Sequence, residues 1–396
     1  MGIHRDILVL SGVRTAIGDY NGGLKDFAPV DIGQRVVTEA IARAGVDPEL
    51  VDQGFLGHII HTEPRDMYVS RVSCIRGGMS HHSKAMGVNR LCGSGLQAVV
   101  SAAQQIELGE SEFTLGGGVE SMTRAGYLLP TVRWGARMGD TKLLDMMVGA
   151  LTDPFGGKHM GITAENLAVK WAISREEQDA FSVESHRRAA LAIAEGRFKS
   201  QIIPIEQVTK KGTVIFDQDE HVRPGVTMAD LAKLKPAFMP QGGTVTAGNA
   251  SSLNDGGAAL VLGEAGAAAR VGAKAIARVV GWGLGGVDPD YMGEGPIGAV
   301  KAAMLCSGLR IADMDVIEGN EAFAAQALTV SKALEFDPAK VNPNGGAIAM
   351  GHPIGATGAM LAVKAIYELH RSGGRYALVT LCIGGGQGIA AVFERV

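Results

Sequence analysis

An internal duplication constrains this chain more than any other feature. Pro29-Val30-Asp31-Ile32-Gly33-Gln34 opens an amphipathic helix that closes at Ala44-Gly45, followed by a strand through Phe55-Leu56-Gly57. The same order recurs late: Gly295-Pro296-Ile297-Gly298 opens a helix closing at Ser307-Gly308, and a strand follows at Val316-Ile317-Glu318. Each copy then continues alike. The run Val88–Gly95 carries Cys92 into a helix to Leu108-Gly109, a strand at Phe113-Thr114-Leu115, and Gly116-Gly117-Gly118. The run Gly351–Gly358 carries His352 into a helix to Leu369, a strand at Tyr376–Val379, and, beyond Cys382, Gly384-Gly385-Gly386. Two strand–helix–strand–helix–strand halves imply an α/β protein with mostly parallel sheets covered by helices. The helix after Cys92 is apolar on most sides (Leu96, Val99, Val100, Ala103, Ile106), so it is expected to be buried.

Residues 122–249 break the pattern. This segment is charged and helical in places, with a capping box at Ser174-Arg175-Glu176-Glu177. Its basic residues Arg187, Arg188, Lys210, Lys211, Arg223, Lys233 and Lys235 suit either phosphate groups or a solvated face. A chain of 396 residues has room for two or three cored domains. A net charge of −4 argues against a general nucleic-acid binder. No apolar run reaches the roughly 18 residues of a membrane span. The start, Met1–Asp6, shows no apolar signal core and Phe393–Val396 is no peroxisomal address, so the expected setting is cytoplasmic and reducing. Four widely spaced cysteines without a C-x-x-C indicate neither a disulfide framework nor a zinc site.

Those cysteines carry the chemistry instead. Cys92 stands at a helix start, where the dipole and free N–H groups favour a thiolate. His352 occupies the comparable junction of the second half; if the halves face each other, a base meets the nucleophile. Cys382 ends an apolar strand before three glycines, a loop able to present a side chain and N–H groups to one point. A cysteine is more often a small core residue, but Cys92-Gly93-Ser94-Gly95 offers little to pack. Other motifs fail on context. Gly281-Trp282-Gly283-Leu284-Gly285-Gly286 fits a dinucleotide fingerprint, yet Val287-Asp288-Pro289 opens no helix. Gly95 stands where a papain-type signature needs a second cysteine. His81-His82 and the group His58, His61 and Glu63 lack further ligands at metal spacing and read as loop or surface residues.

Four runs in order resemble the thiolase family over essentially the whole length: Asn89–Gly95, Asn320-Glu321-Ala322-Phe323-Ala324-Ala325-Gln326, Gly351-His352-Pro353 and Cys382–Gly386. The likeness is strongest to the bacterial β-ketothiolase branch. It implies a layered α/β/α/β/α core of two βαβαβ-type halves, residues 1–121 with 250–272 and residues 273–396. Residues 122–249 would form an inserted, mostly helical loop domain.

The resemblance also implies roles. Cys92 would carry the acyl group, His352 would activate it, and Cys382 would move the α-proton of acetyl-CoA. Asn320 would position a water in one oxyanion hole, and the N–H groups of Cys92 and Gly384 would form the other. Coenzyme A thioesters would be substrates, with no tightly bound cofactor and no metal. Arg223 would meet the adenine end, with Ala247 and Ser251 along the pantetheine. Leu151, His159, Met160, Phe238, Met292, Ala322 and Phe323 would line the tunnel, Met160 limiting the acyl pocket. Asp230 departs from the small hydroxyl residue usual near the adenine. Two readings compete: a decarboxylating or hydroxymethylglutaryl-type condensing enzyme, which replaces the second cysteine, and a non-catalytic acyl-CoA carrier. The apolar and basic excursion Tyr127–Met138 suggests an arm that joins dimers into a homotetramer.

Overall fold

The computed structural model describes residues 3–209 and 212–396, so the N-terminal Met1-Gly2 and the basic pair Lys210-Lys211 lie outside the described residues. In the first half the strands are β1 (Ile7–Thr15), β2 (Val51–Gly57), β3 (Lys84–Val88), β4 (Phe113–Ser121) and β5 (Asn254–Glu264), with helices α1 (Pro29–Ala44), α2 (Val69–Arg76) and α3 (Ser94–Glu107). The inserted segment contributes α4 (Met160–Lys170) and α5 (Arg175–Ala194). The second half has β6 (Ala277–Gly286), β7 (Val316–Gly319), β8 (Tyr376–Ile383) and β9 (Gln387–Arg395), with α6 (Gly295–Ser307), α7 (Ala324–Ala333) and α8 (Thr357–Ser372).

The strands run β7-β8-β9-β6-β1-β5-β4-β2-β3, and the halves join where Ile7–Val9 of β1 pairs with Ala277–Val279 of β6. Outward from that seam each half repeats one order: β1-β5-β4-β2 in the first, β6-β9-β8-β7 in the second. The sheets are mixed, not mostly parallel. Among these nine strands the pairs β2–β3, β2–β4 and β7–β8 are parallel, whereas β1–β5, β1–β6, β4–β5, β6–β9 and β8–β9 are antiparallel. The reason is local: three residues between β8 and β9 can close only an antiparallel hairpin, because a parallel return needs a crossover.

Helices α1 and α2 cover the outer face of the first sheet and α6 that of the second. Between the sheets lie α3 and α8, packed on each other and on strands of both halves, giving the five layers expected. Both are buried along most of their length, as the apolar sequence of α3 required.

The glycine runs explain the close layering. Gly116-Gly117-Gly118 does not follow a strand but lies inside β4. A Cβ there would sit 2.6 Å from Val99 Cα, 2.3 Å from Ala258 O or 2.1 Å from Gly355 O. The dinucleotide-like glycines are likewise inside β6, where a Cβ on Gly283 would sit 2.3 Å from Ala299 O of α6. Gly116 and Gly283 let a helix backbone lie against a strand, while Gly117 and Gly118 admit the neighbouring strand β5 and the loop before α8.

The inserted segment is mixed rather than mostly helical. Besides α4 and α5 it holds hairpins Ile205–Thr209/Gly212–Phe216 and Tyr127–Leu128/Leu144–Asp145, with long irregular stretches rich in Gly and Pro. It is tied to the core: Ile202–Ile203 pairs with β1, and buried Arg14 makes a two-pronged contact with Asp219 at 2.7 and 3.0 Å.

Candidate active site

Two helix N-termini meet backbone to backbone. A Cβ on Gly95 would lie 2.8 Å from Ala359 N, and one on Gly358 would lie 2.4 Å from Leu96 N. Only glycine permits that approach between α3 and α8. Cys92 stands just before α3, and His352 on the loop that enters α8.

The Cys92 turn is tight. Ser94 Oγ accepts from Arg90 N at 2.8 Å and donates to Leu91 O at 2.7 Å, while Leu91 takes φ +45°, uncommon for a residue with a Cβ. Part of Cys92 reaches solvent, but it packs among Ile60, Met122, Met147, Leu151 and Ile354. Burial pushes its thiol up to about 11, helped by nearby Glu120, against the N–H groups of Gly384 and Cys92 directed at the sulfur. This corrects the expectation of a lowered value: desolvation outweighs the helix start.

His352 is buried and pinned from both ring nitrogens. Nδ1 lies 2.7 Å from Thr357 Oγ1, and Nε2 lies 3.3 Å from Asn320 Nδ2. Thr357 spends its one hydroxyl proton on Pro353 O at 2.9 Å, so it accepts from His352 Nδ1–H. That leaves Nε2 as the basic nitrogen, on the side of Asn320. Burial pushes the imidazole down to about 4, so near neutrality it is an uncharged base. Asn320 follows β7, its N–H donates to Thr380 O at 2.9 Å, and its Oδ1 is buried without a partner.

Cys382 ends β8 and is buried; burial, and then the neighbouring Cys92, hold its thiol far above the ordinary range. The register Ile383↔Gln387 makes Gly384–Gly386 the hairpin loop, with φ +82° at Gly385 and +84° at Gly386. That turn aims the Gly384 N–H back at Cys92.

Most tunnel residues named from the sequence come together. Met160, Met292, Ala322, Phe323 and Phe238 pack as one apolar group with Cys382, while Leu151 packs with Cys92. The His159 ring stacks on Phe238 at 4.6 Å, and Phe238 meets Phe323 edge-on at 6.2 Å. His159 Nδ1 accepts from Gly161 N at 3.1 Å, capping α4, and burial pushes its pKa down. Ser251 donates both its N–H and its hydroxyl to Ala322 O at 3.0 Å. Arg223 and Ala247 are exposed and lie outside the apolar group.

Several basic residues serve the fold instead of a phosphate. Arg187 and Arg188 pair with Glu184 at 2.6 and 2.7 Å, and Arg188 also donates to Val341 O. Asp230 caps a short helix with Thr227 and pairs with Lys233 at 3.1 Å, so its charge is already met.

Two residues near the site escaped the sequence reading, and a third was named there without its buried partners. Asn254 Oδ1 accepts from His352 N at 2.9 Å, and a Cβ on Gly351 would fall 2.3 Å from its Cγ. Glu120 Oε2 accepts from Gly355 N at 3.0 Å. His58, read as a loop or surface residue, is in fact buried between Glu120 and Asp66. The signal for Glu120 was an acid in an otherwise apolar strand, and such an acid needs partners. Among the described residues, no group of three or more His, Cys, Asp or Glu could hold a metal ion.

A thiol and a neutral imidazole at paired helix N-termini, with a second thiol at the end of a strand, define an α/β enzyme equipped for acyl transfer by thiol chemistry. Residues 7–266 match the thiolase N-terminal domain and residues 273–395 the thiolase C-terminal domain. The chain belongs to the thiolase family. It is 59% identical over 392 residues to the beta-ketothiolase BktB of Cupriavidus necator, covering 99% of this chain and 100% of that protein. It is 46% identical to an acetyl-CoA acetyltransferase of Rhizobium meliloti, covering 98% and 99%. Human mitochondrial 3-ketoacyl-CoA thiolase superposes with a TM-score of 0.98 at 42% identity over 100% of both chains. Its complex with CoA gives 0.96 at 41% identity, covering 100% of this chain and 99% of that one.

Proposed function

We propose that this chain, a β-ketothiolase of the acetyl-CoA acetyltransferase kind, works in two half-reactions through an acyl group on Cys92. The Cys92 sulfur attacks the thioester carbonyl while its proton passes to His352 Nε2, and the departing CoA thiolate takes that proton. His352, free again, takes the Cys382 thiol proton, and the Cys382 thiolate so formed removes an α-proton from a second acetyl-CoA. The carbanion attacks the acyl carbonyl, the new C–C bond forms, and Cys92 leaves as a thiolate that recovers its proton from His352. Thiolysis is the same path reversed.

The observation that carries this reading is convergence on one sulfur: the N–H groups of Cys92 and Gly384 point at Cys92, and the neighbouring Cys382 is disfavoured as an anion by that same sulfur. Donors placed there stabilise the oxyanion of an acyl-Cys92. The unpartnered Asn320 Oδ1 suits a water that donates to it and turns its second hydrogen to the acetyl-CoA oxygen. Cys382 also favours thiolysis and condensation over the condensing enzymes that lack a second cysteine. The human relative described in complex with CoA supports CoA thioesters as substrates. In that reading the apolar group around Phe238 lines the pantetheine path, with Ser251 and Ala247 along it and Arg223 at the adenine end.

Met160 closes the acyl pocket: a Cβ on Gly384 would lie 3.0 Å from Met160 Cε. Turnover with acetoacetyl-CoA, 3-ketovaleryl-CoA and a longer ketoacyl-CoA tests this. The two short substrates should be fast and the longer one slow; equal rates would contradict a Met160 limit.

We further propose a cytoplasmic homotetramer. The excursion from Tyr127 stands away from its own domain, with Trp134 83% and Met138 95% exposed. At the sheet edge, β3 is unpaired on one side, and Met67, Tyr68 and Met86 are exposed. Among the described residues no helix is long and apolar enough to cross a membrane.

A further inference from the structure

Behind the catalytic groups lies a buried charge cluster that the reaction scheme does not use. Glu120, in the apolar strand β4, is 0% exposed. Its Oε2 accepts from Gly355 N at 3.0 Å and Ile59 N at 3.1 Å, and its Oε1 accepts from Ile60 N at 3.2 Å. One carboxylate thus ties the His352 loop to the segment after β2. The same negative charge disfavours an anion at Cys92.

His58 answers it. The ring is 3% exposed, with Nδ1 3.2 Å from Glu120 Oε1 and 3.1 Å from Val119 O, and Nε2 3.8 Å from Asp66 Oδ2. Every polar neighbour is an acceptor: Glu120 and Val119 on β4, and Asp66 on the turn Pro64–Tyr68. The His61 ring stacks on it at 5.4 Å and 7°. Nδ1 has acceptors within hydrogen-bond reach, while Nε2 makes no hydrogen bond and faces Asp66 Oδ2 at 3.8 Å; a carboxylate on each side of the ring favours the doubly protonated imidazole. Burial alone would push His58 down, but Glu120 and Asp66 outweigh it and push the pKa up to about 10.

We propose that His58 is a positioning residue for the acyl-transfer step. Held as an imidazolium, it offsets the Glu120 charge that would oppose a thiolate at Cys92, and it steadies the carboxylate that holds the His352 loop. The inference rests on Cys92 as the acyl-carrying thiol. Besides burial, the groups acting on that sulfur are the N–H groups of Gly384 and Cys92 and the Glu120 charge.

The test uses the intact enzyme and the rate of iodoacetamide alkylation at pH 8, read by mass spectrometry on the Cys92 peptide. His58→Gln should slow Cys92 alkylation about threefold to tenfold, the loss of thiolate for half to one pKa unit. Its kcat should fall with KM little changed. Glu120→Gln should alkylate faster than wild type, and His58→Gln should have no further effect in that background. Should His58→Gln not fold, His58→Asn takes its place in both backgrounds. Wild-type alkylation in either single variant, or an equal slowing by His58→Gln in the Glu120→Gln background, would overturn the proposal. Labelled acetyl-CoA separates the two claims. No label on Cys92 would defeat the nucleophile itself, whereas label on Cys92 with an unmoved alkylation rate would defeat only the role of His58.

Discussion

The two halves share a strand order, yet they close the same hairpin in opposite ways. In the second half β8 turns into β9 through Gly384–Gly386 alone. In the first, the equivalent strands β4 and β5 pair over nine positions, Phe113↔Gly263 to Ser121↔Asp255, but residues 122–253 intervene. The short loop delivers an N–H to the Cys92 sulfur; the long one delivers Leu151 beside Cys92, and Met160 and Phe238 beside Cys382. A duplicated framework therefore supplies paired helix N-termini, and the asymmetry of one connection places a backbone N–H at Cys92 on one side and apolar side chains beside the two thiols on the other.

The sharpest break of that comparison is at the thiols. Cys92→Ser should form no acyl-enzyme and lose at least about a thousandfold in turnover, because an alkoxide is far harder to generate than a thiolate. Cys382→Ser should still accept an acetyl group from acetyl-CoA while losing condensation by about a hundredfold or more. Equal loss of acylation in both variants would contradict separate roles. Next in size is His352→Ala, expected to slow acylation by about a hundredfold. Because burial pushes His352 down to about 4 and Cys92 up to about 11, both are neutral between those values. The acylation rate should accordingly stay level from about pH 5 to 9, since only below it does His352 gain a proton. A half-point near the ordinary histidine value would show that burial does not set the base.

Smaller effects separate the two glycine runs. Gly118→Ala drives a methyl to within 2.1 Å of Gly355 O, where backbone cannot yield cheaply, so unfolding should show a loss of about 3 kcal/mol. Gly385→Ala meets only Phe155 at 3.9 Å and suffers from φ +82°, so its cost should be about 1 kcal/mol. Equal costs would mean that both runs serve the same purpose. Shortening residues 127–138 should leave folding intact while light scattering shows a dimer in place of a tetramer; a dimer in the intact protein would refute the arm.

These differences show where the sequence could be read. Helices opening at Pro29 and Gly295, and closing at Gly45 and Gly308, were legible because their caps are local. The Cys92, His352 and Cys382 junctions were legible because glycine beside a reactive residue has few other uses. Strand direction was not, since Gly116–Gly118 and Gly384–Gly386 look alike in sequence and differ only in what a Cβ would strike. Nor was the Cys92 pKa, because desolvation depends on packing partners that are far apart in the chain. The burial of His58 was missed for the same reason: its partner Glu120 lies on another strand.

The central claim is that the Cys92 sulfur carries the acyl group while Cys382 serves only the second half-reaction. It is tested most directly by mixing the Cys382→Ser enzyme with labelled acetyl-CoA, quenching in acid and mapping the label by mass spectrometry. The account predicts stoichiometric acetyl on the Cys92 peptide and none on any other. Label absent from Cys92, or spread over other residues, would contradict it.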